Sequence, residues 1–82
     1  MPVIDYRGYE IEARPELIEE PAPPRWRVWI RMTHRYGHVT RIRYFQTAET
    51  FPNEADAVSR CFEHGKHLVD GQVKGVTKVD LP

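Results

Sequence analysis

Arg25–Thr33, RWRVWIRMT, is the stretch that decides the fold of this chain. Its residues alternate between an apolar set and a second set that is mostly basic. The apolar set is Trp26, Val28, Ile30 and Met32, and the second set is Arg25, Arg27, Trp29, Arg31 and Thr33. Because successive side chains of a strand point to opposite sides, this period of two predicts a β-strand with one face on the core and one face outward.

A hairpin is predicted to lead from this strand into the next one. A three-residue loop usually ends in a left-handed glycine, which favours Arg35–Gly37 as the loop. In that register inward residues meet inward residues, which is the arrangement that a buried face requires. The predicted cross-strand pairs are His34 with His38, Met32 with Thr40, Ile30 with Ile42, Val28 with Tyr44, Trp29 with Arg43, and Arg31 with Arg41.

An earlier strand and a proline-rich loop are predicted on the N-terminal side. Asp5–Gly8 suits a type I turn, and Tyr9–Arg14 alternates as a strand should. Pro15 has no N–H to donate, so the strand either ends there or lies at a sheet edge. Residues 16–24, ELIEEPAPP, are predicted to form a stiff acidic loop.

A helix is predicted to follow Asn53, whose side chain suits an N-cap with Asp56 as a capping-box partner. Its apolar stripe consists of Ala55, Val58, Cys61, Phe62, Gly65, Leu68 and Val69. Asp56 with Arg60, and Glu63 with His67, are spaced for ion pairs on the exposed side. Gly71 is a plausible end of the helix. The tail, residues 72–82, suits either a weak last strand or an ordered coil.

These elements predict one small α+β domain over residues 1–82. Three strands form an antiparallel meander, and one C-terminal helix packs across its inner face, in the order β-β-β-α. A weak extra strand in residues 72–82 is kept as an option.

Composition narrows the classes of function. The 82 residues carry 12 Lys and Arg and 12 Asp and Glu, so no net charge draws the whole molecule to nucleic acid or to an anionic membrane. Cys61 is the single cysteine, which excludes an internal disulfide and fits a reducing compartment. The opening MPVIDYRG lacks the pattern of a signal peptide, and no apolar run approaches ~18 residues. We therefore expect a cytoplasmic protein without a membrane span.

Several short segments carry a family resemblance. They are Asp5–Ile11 (DYRGYEI), Trp26–Val28 (WRV), Phe51, Glu54-Ala55, Gly65-Lys66 and Leu68–Asp70 (LVD). In this order they resemble the small bacterial HlyU-type proteins, and the likeness extends to about Gln72. The resemblance implies the same strand–hairpin–helix fold and a bacterial cytoplasmic setting, but no particular reaction or ligand. The loop at residues 16–24 and the tail at residues 72–82 have no counterpart in that family.

Signals of catalysis or of a cofactor are absent from the sequence. It contains no GxGxxG, P-loop, CxxC or nucleophile-elbow motif, so we predict a non-enzymatic protein without a cofactor. Cys61 has His64 one turn away, but its place on the apolar stripe predicts burial rather than nucleophilic use. The histidine pairs His34/His38 and His64/His67 offer a zinc-site alternative. We favour the interpretation that all four are polar histidines on the protein surface, so no metal ligand is assigned.

The outward face of the sheet is the predicted partner-binding face. Its candidate residues are Arg27, Trp29, Arg31, Arg41 and Arg43. One interpretation is structural: Glu10 and Glu12 of the neighbouring strand offset the arginines, and Arg43 stacks on Trp29. The functional interpretation predicts a domain that binds a protein partner or a second copy of itself. The alternative is a nucleic-acid-binding module that uses this Arg/Trp face.

Overall fold

Residues 2–82 are described by a computed structural model of the chain. The elements in chain order are β1 (Val3–Tyr6), β2 (Tyr9–Ala13), β3 (Glu16–Ile18), β4 (Arg25–Tyr36), β5 (Val39–Phe51) and α1 (Glu54–Val69), followed by a short 3₁₀ turn (Lys78–Asp80). All strand pairs are antiparallel, and α1 packs on one face of the sheet. The α+β class with a C-terminal helix is confirmed, whereas the count of three strands is wrong because residues 2–82 contain five.

The first additional strand is β1, which forms a tight hairpin with β2. Arg7 and Gly8 both have positive φ, 48° and 87°, and Tyr6 pairs with Tyr9. Two successive left-handed residues define a type I′ turn, whose twist matches that of the flanking strands. The predicted type I turn at Asp5–Gly8 is therefore wrong in type and one residue early.

The second additional strand is β3, which replaces the first third of the predicted loop at residues 16–24. Ala13 pairs with Ile30 and Glu16 pairs with Arg27, so β2 and β3 run along β4 in one continuous register. Pro15 interrupts them because it cannot donate to the ladder. A three-residue strand is too short to show a period of two, which explains why the sequence pattern missed it.

The core lies between the sheet and α1. Val28, Ile30 and Met32 of β4 are fully buried, as the alternation predicted, and Ile11 and Ala13 of β2 are buried beside them. We call this side of the sheet the helix-side face and the other side the outer face. From the helix, the buried residues are Ala57, Cys61, His64, Gly65, Leu68 and Val69.

The β4–β5 hairpin has a different register from the predicted one. Its turn is the two-residue Gly37-His38, with Gly37 first at φ 52°, the place that glycine takes in a type II′ turn. Ile30 therefore pairs with Phe45, not with Ile42. Every residue from Arg35 to Tyr44 is exposed. Because no core covers either face of this segment, inward-to-inward matching was not a valid guide there.

A bulge restores the pairing at the far end of β5. Trp29 pairs with Gln46 and Arg27 pairs with Thr50, so one residue of β4 lies opposite the three residues 47–49 of β5. The two extra residues preserve the alternation of faces, and Phe51 packs against the core.

Helix α1 begins and ends where the sequence predicted. The Asn53 side chain accepts a hydrogen bond from the Asp56 N–H at 2.9 Å. At the other end the Gly71 N–H donates to Leu68 O and the Gln72 N–H donates to His67 O, with Gly71 left-handed at φ 72°. This pair of bonds is a Schellman motif.

Two details of the predicted helix and tail are corrected. Ala55 is exposed, and Ala57 and His64 are buried in the stripe instead. In residues 72–82 there is no strand; the chain forms turns and the 3₁₀ segment, and it places Leu81 in the core. Ala55 lies at one edge of the predicted helical stripe and His64 lies beyond the other edge, so the buried stripe is rotated toward His64.

Candidate binding surface on the β4–β5 arm

The five predicted face residues do not share one face. Arg27, Trp29 and Arg31 lie on the outer face, as their parity predicted. Arg41 pairs with His34 and Arg43 pairs with Met32, which places both on the helix-side face. The true register differs from the predicted one by an odd number of residues, and an odd shift turns every side chain of β5 to the other side. The predicted pairings of Trp29 with Arg43 and of Arg31 with Arg41 are therefore wrong.

The outer face contains an open groove around Trp29. Its volume is about 350 Å³, and Arg14, Pro15, Glu16 and Tyr44 line it together with the half-buried indole. Because Arg43 lies on the opposite face, the proposed stacking of Arg43 on Trp29 is wrong.

Acidic side chains pair with three arginines of the outer face. Arg14 lies 3.5 Å from Glu12, Arg35 lies 3.3 Å from Glu10, and Arg27 is paired with Glu16. The partners differ from the expected ones: Glu10 and Glu12 contact Arg35 and Arg14 rather than the predicted face residues, and Arg31 has no ion pair within residues 2–82. This face presents alternating charges rather than a uniform basic surface.

The helix-side face of the hairpin is basic, whereas the outer face carries charges of both signs. Arg41 and Arg43 are exposed there, and within residues 2–82 neither forms an ion pair. His34 stacks on Tyr36 with ring centroids 4.2 Å apart and meets the ring of Tyr9 edge-on at 4.5 Å. Arg41 and Arg43 are therefore two neighbouring guanidinium groups without an acidic partner among residues 2–82.

Within residues 2–82, the pairs His34/His38 and His64/His67 do not come together as a metal centre. His34 pairs with Arg41 rather than with His38, because of the changed register. His64 is buried under the sheet, and burial lowers its pKa. Across residues 2–82 no three His, Cys, Asp or Glu side chains converge as metal ligands would.

Cys61 is a packed core residue, as its stripe position predicted. It is fully buried, and its Sγ donates to the carbonyl oxygen of Trp29 at 3.4 Å. Burial raises the pKa of the thiol, which keeps it protonated and unreactive at neutral pH.

A polar cluster that the sequence pattern did not predict joins the β1–β2 hairpin to the end of α1. The Tyr6 hydroxyl donates to Asp70 Oδ2 at 2.7 Å, and Arg7 Nη1 lies 2.9 Å from Asp70 Oδ1. The hydrogen bond to Asp70 raises the pKa of Tyr6. The cluster therefore ties the β1–β2 hairpin to Asp70, the residue that caps the C-terminal end of α1.

Charge is separated along the chain in a way that the neutral total conceals. Residues 21–48 contain six arginines and no aspartate or glutamate. All 12 acidic residues lie in the rest of the chain, which has six Lys and Arg. Residues 21–48, which include most of the β4–β5 hairpin, are therefore strongly basic, and the rest of the chain is net acidic. This signal is visible in the sequence, although total charge does not reveal it.

The hairpin also presents an open strand edge. We name residues 34–44 the β4–β5 arm. β5 pairs only with β4 among the described strands, so its other edge has no partner there. The two-residue turn makes Tyr36 and Val39 a hydrogen-bonded pair, and such pairs alternate along an antiparallel ladder. The backbone N–H and C=O groups of Thr40, Ile42 and Tyr44 consequently point to the open side.

Apolar side chains lie along the open edge of β5. Val39, Ile42 and Tyr44 are 53%, 41% and 54% exposed. Ile42 and Tyr44 share the outer face with the groove of Trp29, so backbone groups and apolar surface are offered side by side.

Comparison with known proteins identifies no relative: no family model, no curated protein and no solved structure matches the chain. Among the helices in residues 2–82, none combines the length and the apolar character needed to cross a membrane.

Proposed function

We propose that this chain is a small non-enzymatic binding module that receives an extended segment of a protein partner at the open edge of β5. The supporting observation is the unpartnered edge from Val39 to Gln46, on a strand of 13 residues. Addition of a strand to such an edge is a general mode of peptide recognition, in which main-chain hydrogen bonds supply affinity. The HlyU-type resemblance and the single cysteine support a bacterial cytoplasmic setting.

The form of the edge supports this proposal. Soluble proteins usually protect an edge with a bulge, a proline, a very short strand or charged side chains, and only the last of these, Arg41 and Arg43, is present between Val39 and Gln46. In β5 the bulge is confined to residues 47–49, and Val39–Gln46 is regular and free of proline. A regular edge of about eight residues is long enough to pair with a peptide strand.

Self-association through the same edge is less well supported. An antiparallel pairing of two regular edges would place Arg41 and Arg43 of one copy close to the same two residues of the other. Like charges that face each other across strands are destabilising. A second copy therefore fits this edge less well than a different protein partner does.

Hydrogen exchange tests the proposal directly. A library of extended peptides is screened against the chain, and amide exchange is then followed by NMR with the selected peptides. We expect protection of the edge-facing amides of Thr40, Ile42 and Tyr44. Ile42→Pro should abolish binding because it removes one of these N–H groups, whereas Ile42→Ala keeps the N–H and should retain most of the protection. Protection confined to other residues would overturn the proposal.

Nucleic-acid binding is the second candidate, and the acid-free stretch of residues 21–48 is the observation that favours it. A two-stranded ribbon fits the major groove of B-DNA, and arginines contact phosphates. The acidic remainder of the chain and the ion pairs of Glu10 and Glu16 oppose it. Titration of a 20-base-pair duplex at several salt concentrations tests it. A logarithmic salt slope near zero would exclude phosphate contacts.

A further inference from the structure

The charge of the β4–β5 arm specifies the chemistry of the strand that the edge receives. We propose that the partner segment is acidic at every second residue and apolar at the residues between. This inference rests on the proposed strand addition and names the partner class of the same edge.

The acidic positions follow from the helix-side face. Arg41 and Arg43 are two residues apart, both exposed and without an ion pair within residues 2–82. In an antiparallel addition these two residues occupy the non-hydrogen-bonded positions, where Cα atoms approach to ~4.5 Å and side chains are closest. A glutamate or aspartate opposite each arginine would complete two cross-strand ion pairs.

The apolar positions follow from the outer face. Ile42 and Tyr44 alternate with the two arginines and present apolar surface to the open side. Because the added strand has the same period of two, the residues between its acidic positions lie beside Ile42 and Tyr44. β-Branched or aromatic side chains at those places would remove this surface from water.

Long-range electrostatics favours the same partner. Arg41 and Arg43 lie on the edge strand itself, inside a stretch of 28 residues (21–48) that contains no acidic residue, so an acidic segment is drawn toward the edge. A basic segment would meet repulsion both at a distance and at the two arginines.

Two matched peptides test the inference. One is a capped eight-residue peptide of alternating glutamate and valine, and the other has lysine at each glutamate position. Binding is measured by fluorescence anisotropy, and the edge amides are followed by hydrogen exchange. We expect the glutamate peptide to bind roughly tenfold more tightly than the lysine peptide, which is the effect of two cross-strand ion pairs.

A variant with both edge arginines changed to glutamate tests whether these two residues set the preference. In Arg41→Glu/Arg43→Glu the preference should reverse in favour of the lysine peptide. Lys74→Glu/Lys78→Glu changes the net charge equally but at two exposed tail residues, and it should keep the original preference. Amide spectra confirm that each variant is folded.

The outcomes separate this inference from the function on which it rests. Equal binding of both peptides, with edge amides protected, would overturn the acidic preference and leave strand addition intact. If neither peptide protects an edge amide, both are overturned. Binding of a 20-base-pair duplex alone, lost in Arg41→Glu/Arg43→Glu, would also overturn both and would favour the nucleic-acid candidate.

Discussion

Gly65 shows how a single residue sets the distance between the helix and the sheet. A Cβ atom at this position would lie 2.7 Å from Ile11 Cγ2 and 2.9 Å from Ile11 Cδ1. Both distances are shorter than real Cβ contacts, and Ile11 is fully buried with little room to move. The missing side chain at Gly65 therefore allows α1 to approach β2 closely.

Gly65→Ala should consequently destabilise the protein. Overpacking a core costs ~1–3 kcal/mol, and the better helix propensity of alanine returns about 1 kcal/mol. We expect a net loss of up to about 2 kcal/mol in the free energy of unfolding, measured by urea denaturation. Ile11→Ala removes both of these atoms, Cγ2 and Cδ1, so Gly65→Ala should cost less in that background than in the wild type. Ser59→Ala, on the exposed side of the helix, is the control, and a stabilising Gly65→Ala would contradict this packing.

At the scale of elements, the bulge of β5 is connected to α1 by an ion pair. Arg60 Nε lies 3.0 and 3.1 Å from the two carboxylate oxygens of Glu49, and Arg60 Nη2 lies 3.0 Å from Oε1. The predicted pairing of Arg60 with Asp56 does not form; Arg60 contacts Glu49 and Glu63 instead. The contact joins residues that are 11 positions apart and lie in different elements, so helical spacing did not predict it.

Glu49→Gln tests the contribution of this ion pair. The hydrogen bond from Arg60 lowers the pKa of Glu49, so its stabilisation is present above the usual carboxyl range and is lost as pH falls through the folded pKa. At neutral pH the substitution should cost about 0.5–1 kcal/mol, as is usual for a partly exposed pair. Between pH 7 and pH 3 the difference from the wild type should shrink. A constant difference across that range would indicate that charge is not the cause.

At the scale of the whole molecule, the tail completes the core that the sheet and helix begin. Leu81, which directly follows the 3₁₀ turn, is 6% exposed and packs with the central cluster, whereas Val79 inside the turn is 84% exposed. The Thr77 backbone N–H donates to Asp80 Oδ2 at 2.8 Å, which fixes the turn that directs Leu81 inward. A domain of this size has a small core, so one additional buried leucine is a substantial share of it.

Leu81→Ala should therefore lower the free energy of unfolding by about 2 kcal/mol or more. Val79→Ala is the matched control, and it should change stability by less than ~0.5 kcal/mol because its side chain is in water. Urea denaturation followed by tryptophan fluorescence measures both. Equal effects of the two substitutions would show that the tail does not dock on the core.

The separation of charge is also a property of the whole molecule. A basic arm at residues 34–44 extends from a body that holds all the acidic residues. The molecule measures 45 × 26 × 17 Å, so its two charged regions can act on partners separately. At physiological salt their fields are screened beyond about 8 Å, which confines each effect to its own surface.

The sequence by itself determined the features that depend on near neighbours in the chain. The alternation of Arg25–Thr33 predicted β4 and its buried face, Asn53 predicted the start of α1, and Gly71 predicted its end. Each of these signals reports a local preference: strand parity, an unpaired helix N–H, or a left-handed backbone. Tertiary context did not need to be known for any of them.

Only the tertiary structure decided the register of β5, and with it the faces of Arg41 and Arg43. Residues 35–44 have no core on either side, so burial does not select among registers, and the turn at Gly37-His38 and the bulge at residues 47–49 select one instead. The same structure leaves one edge of β5 without a strand partner within residues 2–82. An open edge is a property of how strands are arranged in space, and no period in the sequence of a single strand encodes it.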